Sequence, residues 1–304
     1  MRHGWLLVPV ALLASSPLAS CGGTETCAAA GCTAPAAQPL NVQPQNSTLL
    51  VGVNRISIAL LDGRATPVTA ANVSVQIVAP GGASIGVRPL EDIAPVYGGI
   101  PVYVGIATFP SAGQYNYVVT GTSSSGSPVS GNAYVTVAAR GPELAVGMSV
   151  PAIAQKVVTD AGVTLSMVDS GVPPDTWHDV TVAHALAAHR PMVLYFGEPG
   201  FCPSKTCGPT VAILKQLCTQ YCAQLSFQHI EDDIPPGPAF VQPNALPNNP
   251  AFLAFGLRSD PWVYFVNSSG VVTDRFEGPV TLDQLTGAAA GTLAGHVPAV
   301  SLGA

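Results

Sequence analysis

Between residues 46 and 140 apolar and polar positions alternate in short runs, most plainly at Val73, Val75 and Ile77. A period of two places one face of a strand against a core. Such runs cover 55–61, 72–79, 101–109, 114–120 and 132–138, separated by turn residues at Asp62-Gly63, Pro80-Gly81-Gly82 and 123–126. The spacing predicts an all-β sandwich. Beyond residue 141 the pattern changes. An amphipathic stretch over 179–189 precedes a continuous apolar run, Met192–Phe196, that suits a buried parallel strand. Helical spacing follows at Val211, Leu214, Leu217, Cys218 and Tyr221, in a helix predicted over 209–221 with Pro209 as its first residue. A strand at 225–230 comes next, then a Pro- and Asn-rich insertion over 233–249 and a short helix at 250–255. Strands at 262–267 and 271–277 and a last helix at 281–293 complete the order.

Composition narrows the function classes. A chain of 304 residues that is 48% apolar can bury two cores. Only 9% of residues are charged and the net charge is -6, so no basic field exists to hold phosphates and nucleic acid is excluded as a partner. With 31 Gly and 29 Pro the chain is turn-rich and not a helical bundle. Acidic residues accumulate late: from 141 onward there are 13 Asp/Glu against 6 Lys/Arg, which places a domain boundary near 140. The charges of 46–140 are sparse and that stretch holds no Cys or His, so it offers a spacer or docking module, with Tyr97 and Tyr103 as core or sheet-face aromatics.

The N-terminus supplies a compartment. Arg2 and His3 precede an apolar stretch over 5–13 that is interrupted by Pro9 and too short to span a bilayer, the layout of a secretory signal peptide. It runs into Leu18-Ala19-Ser20-Cys21-Gly22-Gly23, which resembles the lipobox of bacterial lipoproteins. The resemblance implies that 1–20 are a lipoprotein signal peptide and that Cys21 is the lipidated residue. The chain would then be anchored to a cell membrane through lipid, on the extracytoplasmic face, and on the outer membrane if the host has one. Residues 21–45, rich in Ala, Pro, Gly, Thr and Gln, read as a flexible tether. Within it Cys27 and Cys32 are a candidate local disulfide, with a metal clip or a partner-linked thiol as the other readings.

Two further resemblances concern the folded regions. The segment Phe109-Pro110-Ser111-Ala112-Gly113-Gln114-Tyr115-Asn116-Tyr117 resembles the turn entering a late strand of bacterial immunoglobulin-like domains, which makes 46–140 an immunoglobulin-like β-sandwich. Three features of the later element order resemble the thioredoxin-like superfamily: Phe196 before a cysteine loop, a proline directly before the third strand, and Gly270 in the following hairpin. The lead-in Val146-Gly147-Met148-Ser149-Val150-Pro151 is similar to that of cytochrome-maturation thioredoxins and peroxiredoxins, so the resemblance covers about 145–295. The expected fold class is therefore two domains, an all-β immunoglobulin-like sandwich followed by an α/β thioredoxin-like fold over 141–304.

The chemistry is expected in Phe201-Cys202-Pro203-Ser204-Lys205-Thr206-Cys207-Gly208-Pro209. Two thiols at the mouth of a helix meet unpaired N–H groups and a positive helix end, which stabilise the thiolate that attacks disulfides, and Lys205 adds local positive charge. The thioredoxin-like resemblance implies Cys202 as the attacking and Cys207 as the resolving cysteine, with Pro261, as a cis-proline, and Asp260 framing the substrate side. Four residues separate the cysteines where thioredoxins have two. Cys207 could accordingly take the first position and Thr210 the second. A carboxylate at Asp260 facing the thiols would raise their pKa. Cys218 and Cys222, four apart on one helix face, are a candidate structural disulfide or a relay pair.

The histidines carry less. Asp179 or Thr176 is the expected N-cap near His178, and His229 falls at a strand end beside Glu231, Asp232 and Asp233. The leading function is a tethered extracytoplasmic thiol-disulfide oxidoreductase that needs no cofactor and has protein thiols or disulfides as partners. A second reading is a copper-binding chaperone of Sco type, with Cys202, Cys207 and His229 as ligands and copper as cargo. A third is a non-catalytic binding module with structural disulfides.

Overall fold

The computed structural model describes residues 36–237 and 249–296. Ten strands come first: β1 (Gln38–Pro39), β2 (Asn41–Pro44), β3 (Leu49–Leu50), β4 (Gly52–Leu61), β5 (Ala70–Val78), β6 (Ser84–Pro89), β7 (Glu91–Asp92), β8 (Tyr103–Phe109), β9 (Gly113–Ser123) and β10 (Pro128–Ala138). After a long connection with little regular structure come α1 (Val182–Ala187), β11 (Met192–Phe196), α2 (Cys207–Tyr221), β12 (Ser226–Ile230), α3 (Pro250–Ala254), β13 (Trp262–Val266), β14 (Val272–Glu277) and α4 (Leu282–Leu293). Among the described residues no helix is long and apolar enough to cross a membrane.

The first ten strands make two sheets. One runs β2-β4-β8-β7; the other runs β1-β10-β9-β5-β6, with β3 also paired to β10. Alternation fixes the register: Ile56, Ile58 and Leu60 of β4 face Val75 and Ile77 of β5 and Tyr115, Tyr117 and Val119 of β9 in one buried core. This is the two-sheet β-sandwich that the period-two pattern predicts. The tether expected up to 45 ends earlier, because β2 pairs with β4 from Asn41 and buries Val42.

A third sheet runs β12-β11-β13-β14, parallel between β11 and β12 and antiparallel elsewhere. Every residue of its four strands is buried, and alternate side chains enter different cores. Val193, Tyr195, Val263 and Phe265 pack with Val211, Leu214 and Leu217 of α2 and Leu285 and Ala289 of α4. Met192, Leu194, Phe196, Tyr264 and Val266 pack with Val182 of α1 and Phe252 of α3. A capping box at Thr281 and Gln284 starts α4, one residue after the predicted start. Helix α1 is shorter than the predicted 179–189, because Thr181 rather than Asp179 or Thr176 caps it through its side chain.

The expected fold class is corrected. Strand accounts for 35% of the described residues and helix for 18%, in several sheets, so the chain is mostly β and no clear α/β thioredoxin-like half stands apart. Residues from Ala36 onward form one compact unit, not two. The reason lies in side chains of the sandwich region. Ile93, Tyr97, Val102 and Val104 belong to the same buried core as α2 and α4. Arg55 of β4 is buried, and its guanidinium donates to the carbonyls of Glu277, at 3.4 Å, and Pro279. Thr48 donates to Glu143, and the Ser47 amide donates to Glu277 at 2.7 Å. The charge shift near 140 therefore marks carboxylates gathered into local clusters, not a change of core.

Candidate functional site

The cysteine loop leaves β11 at Gly197 and turns through Glu198, whose carbonyl accepts from the amides of Phe201 and Cys202. Lys205 has φ +58, a left-handed conformation that a lysine adopts only at some cost. It lets the chain enter α2 with Cys207 as the first helical residue, two positions earlier than the predicted start at Pro209. Cys202 and Cys207 form a disulfide with their Cα atoms 6.0 Å apart.

The two sulfurs differ in surroundings. Cys202 is half-buried, with Ser204 Oγ 3.2 Å from its sulfur and the Cys207 amide donating to it at 3.4 Å. That amide belongs to the first turn of α2 and has no acceptor within the helix, whose positive end favours a thiolate. Cys207 is fully buried, and its Sγ lies 2.9 Å from Asp260 Oδ2. Burial pushes the Asp260 carboxyl above the usual carboxylate range, so it carries less negative charge beside the sulfur than an exposed aspartate would. The neighbouring acids follow the same direction. Burial, together with Asp260 and Glu198, drives Asp232 well up, and burial with the charges of Glu231 and Asp233 raises Glu198 to about 8.

Pro261 follows Asp260 through a cis peptide bond and its carbonyl accepts from the Gly278 amide at 2.8 Å. A cleft of about 290 Å³ opens beside the disulfide, lined by Ser204, Thr206 and Asp260 together with Gln45, Ser47 and Glu277. Thr210, the alternative partner of Cys207, is fully buried with its hydroxyl 2.7 Å from the Tyr97 hydroxyl. Cys218 and Cys222 are joined as a second disulfide at the end of α2, with Cα atoms 4.6 Å apart. Cys21, Cys27 and Cys32 lie outside the described residues.

The copper triad is not assembled. His229, expected at a solvated strand end, is buried on β12, and both its ring nitrogens are engaged away from the disulfide. Nδ1 is 2.9 Å from Asp175 Oδ2, and Nε2 is 2.9 Å from the Gly197 carbonyl oxygen. The sulfurs instead lie near Asp260, while His229 groups with Asp169, Asp175 and His178. Burial opposes charge on these imidazoles, but hydrogen bonds that His178 donates to Asp169 and Asp175 outweigh it and hold His178 up at about 9. Asp175 raises His229 in the same way, and hydrogen bonds from the two histidines draw Asp175 far down against its burial. The sequence reading passed over this cluster. Its signal was the spacing Asp169, Asp175, His178 in a Pro-containing loop.

No protein-family model matches the chain, and no curated protein matches it. Among solved structures it is similar to CopC from Methylosinus trichosporium OB3b, at 15% identity and a TM-score of 0.25, over 32% of this chain and 94% of that one. It is also similar to the Lin-41 filamin domain, at 13% identity and a TM-score of 0.25, over 36% of this chain and 100% of that one. A third is the fibronectin type-III domain of human fibronectin type III domain containing protein 3, at 16% identity and a TM-score of 0.21, over 36% and 93%.

Proposed function

We propose that this chain is a thiol-disulfide oxidoreductase acting on extracytoplasmic proteins through Cys202 and Cys207, tethered to a membrane by lipid on Cys21. The observation that carries the reading is the unlike pair of sulfurs: Cys202 half-buried under a helix N–H, Cys207 buried against an acid 2.9 Å away. In the reduced protein the Cys202 thiolate attacks a client disulfide, and one client sulfur leaves as thiolate. Cys207 then attacks Cys202 Sγ in the mixed disulfide, releasing the second client sulfur and closing the Cys202–Cys207 bond. Asp260 takes the proton that Cys207 loses. A carboxyl that burial holds above the usual carboxylate range is better matched to a thiol than an exposed aspartate is. The cleft lined by Ser204, Thr206 and Asp260 gives a client segment a place beside Cys202.

A redox titration of the full chain in dithiothreitol buffers tests this, with thiol alkylation and mass spectrometry following each pair. The Cys202–Cys207 potential is expected well above about -300 mV, the range of labile disulfides, with Cys218–Cys222 below it. A value below that range makes Cys202–Cys207 a structural staple and removes the reading. Acyl labelling lost in Cys21→Ala tests the anchor separately.

A further inference from the structure

We propose that Asp169, Asp175, His178 and His229 are the four ligands of a divalent-metal site, closed and structural, that pins the loop before α1 to β12. This does not rest on the exchange chemistry above. All four side chains are buried, with 1%, 3%, 2% and 0% of their surface exposed. Their ligand atoms lie within 4.8 Å of one another. His178 Nε2 is 3.0 Å from both Asp169 Oδ2 and Asp175 Oδ1, and His229 Nδ1 is 2.9 Å from Asp175 Oδ2. Bonds of about 2.0–2.2 Å to a tetrahedral ion put neighbouring ligands a little over 3 Å apart, so the close pairs must open slightly and the wider ones, up to 4.8 Å, must draw in.

Three further observations favour an ion. First, one ring nitrogen of His178 faces two carboxylate oxygens at once, more acceptor than a single N–H can satisfy. Second, His229 donates its other nitrogen's proton to the Gly197 carbonyl at 2.9 Å, the outer contact that fixes a metal-bound imidazole in its tautomer. Third, backbone amides hold both acids in place: those of Gly171 and Asp175 donate to Asp169 at 2.6 and 2.8 Å, and that of Trp177 donates to Asp175 at 3.0 Å.

Charge also balances. Two neutral imidazoles, two carboxylates and one divalent ion sum to zero, so these four ligands bury no net charge with the ion bound. Two imidazoles with two carboxylates suit zinc or another first-row divalent ion, not the softer cuprous ion. Four protein ligands leave no open position, which marks a structural rather than a catalytic centre. A cleft lined by Asp175, Trp177, Lys215 and Cys218 opens beside the ligands as an entry path.

The test uses the full chain with Cys202–Cys207 and Cys218–Cys222 intact and every remaining cysteine thiol alkylated, so that thiolates cannot bind. Calorimetric titration with Zn²⁺ is expected to give one ion per chain. Co²⁺ is expected to give weak visible bands of an N/O site and no thiolate charge-transfer band in the near ultraviolet. His229→Gln and Asp175→Asn are each expected to lower Zn²⁺ affinity by at least about 100-fold, the upper range seen when only an outer partner is lost. Cys202→Ser is expected to leave affinity unchanged. Absence of stoichiometric uptake, a thiolate band, full affinity in both ligand variants, or loss in Cys202→Ser overturns the proposal. Should the ligand variants fail to fold, the Co²⁺ spectrum of the unaltered chain decides.

Discussion

The Cys207 sulfur lies 2.9 Å from Asp260 Oδ2, the sulfur fully buried and the aspartate half-buried. In the disulfide the carboxyl can donate to the sulfur; in the dithiol the thiol can donate to the carboxylate. Asp260→Asn keeps the shape and removes the proton acceptor. Stopped-flow with a model disulfide is expected to show attack by Cys202 little changed and closure by Cys207 slowed about 100-fold, the low end of general acid–base contributions. The pH dependence of closure should flatten in the same variant. Equal slowing of both steps would mean that Asp260 shapes the loop and moves no proton.

Glu198 gives a pH signature of stability. Burial, then the charges of Glu231, Asp233 and Asp260, raise it from about 4.5 to about 8, although the Asp233 amide donates to it at 2.9 Å. The folded state thus holds this proton more tightly than the unfolded state does. Its contribution is full below about pH 4.5 and is lost as pH rises toward 8. In Glu198→Gln, urea midpoints measured across that window should fall less steeply than in the unaltered chain. An unchanged slope would exclude Glu198 as its source.

Arg55 joins the sandwich to the third sheet through two buried carbonyls, those of Glu277 and Pro279. Burial lowers its own pKa to about 10, so it stays charged near neutrality. Arg55→Ala leaves both acceptors without their donor and opens a cavity, and should cost about 3 kcal/mol or more. Far-ultraviolet dichroism and tryptophan fluorescence should report one shared unfolding transition in the unaltered chain. Of the three tryptophans Trp177 and Trp262 lie beyond residue 140 and Trp5 falls in the expected signal peptide, whereas most of the strand signal comes from before 140. Two separated transitions would show that the regions fold independently.

The Tyr97 hydroxyl donates to the Thr206 carbonyl at 2.6 Å and meets Thr210 at 2.7 Å, both at the first turn of α2. Burial pushes its pKa far above the usual tyrosine value, so it remains neutral. Tyr97→Phe should cost about 1–3 kcal/mol, the range for orphaning buried polar partners. Faster reduction of Cys202–Cys207 by dithiothreitol should accompany it, because the turn that carries Cys207 loses its clamp. Stability loss with an unaltered reduction rate would separate the two effects.

The strands were legible in the sequence wherever packing imposes a period. Val73, Val75 and Ile77 lie in β5 as the alternation requires, and Met192–Phe196 matches β11 residue for residue. Strand β6 escaped notice because Ser84, Gly86 and Pro89 read as turn chemistry while its pairing partner β5 holds it in place. The cysteine loop was legible from its residues, and so was its helix, apart from a start two residues late. The cluster of Asp169, Asp175, His178 and His229 was not, since three members sit in a loop without period and the fourth reaches them from β12. Nor was the single compact unit: Arg55 and Tyr97 resemble ordinary sandwich residues until their partners beyond 140 are seen.

Tyr97, Ile93, Val102 and Val104 form a floor beneath α2 rather than the outer wall of a separate bead. A gene recombined at residue 140 would therefore hand its recipient a helix with an unfilled underside and a threonine hydroxyl facing nothing. Exchange between relatives should succeed only when the crossover leaves 36–296 intact. The sandwich and the helix that carries Cys207 are thus a single unit of exchange.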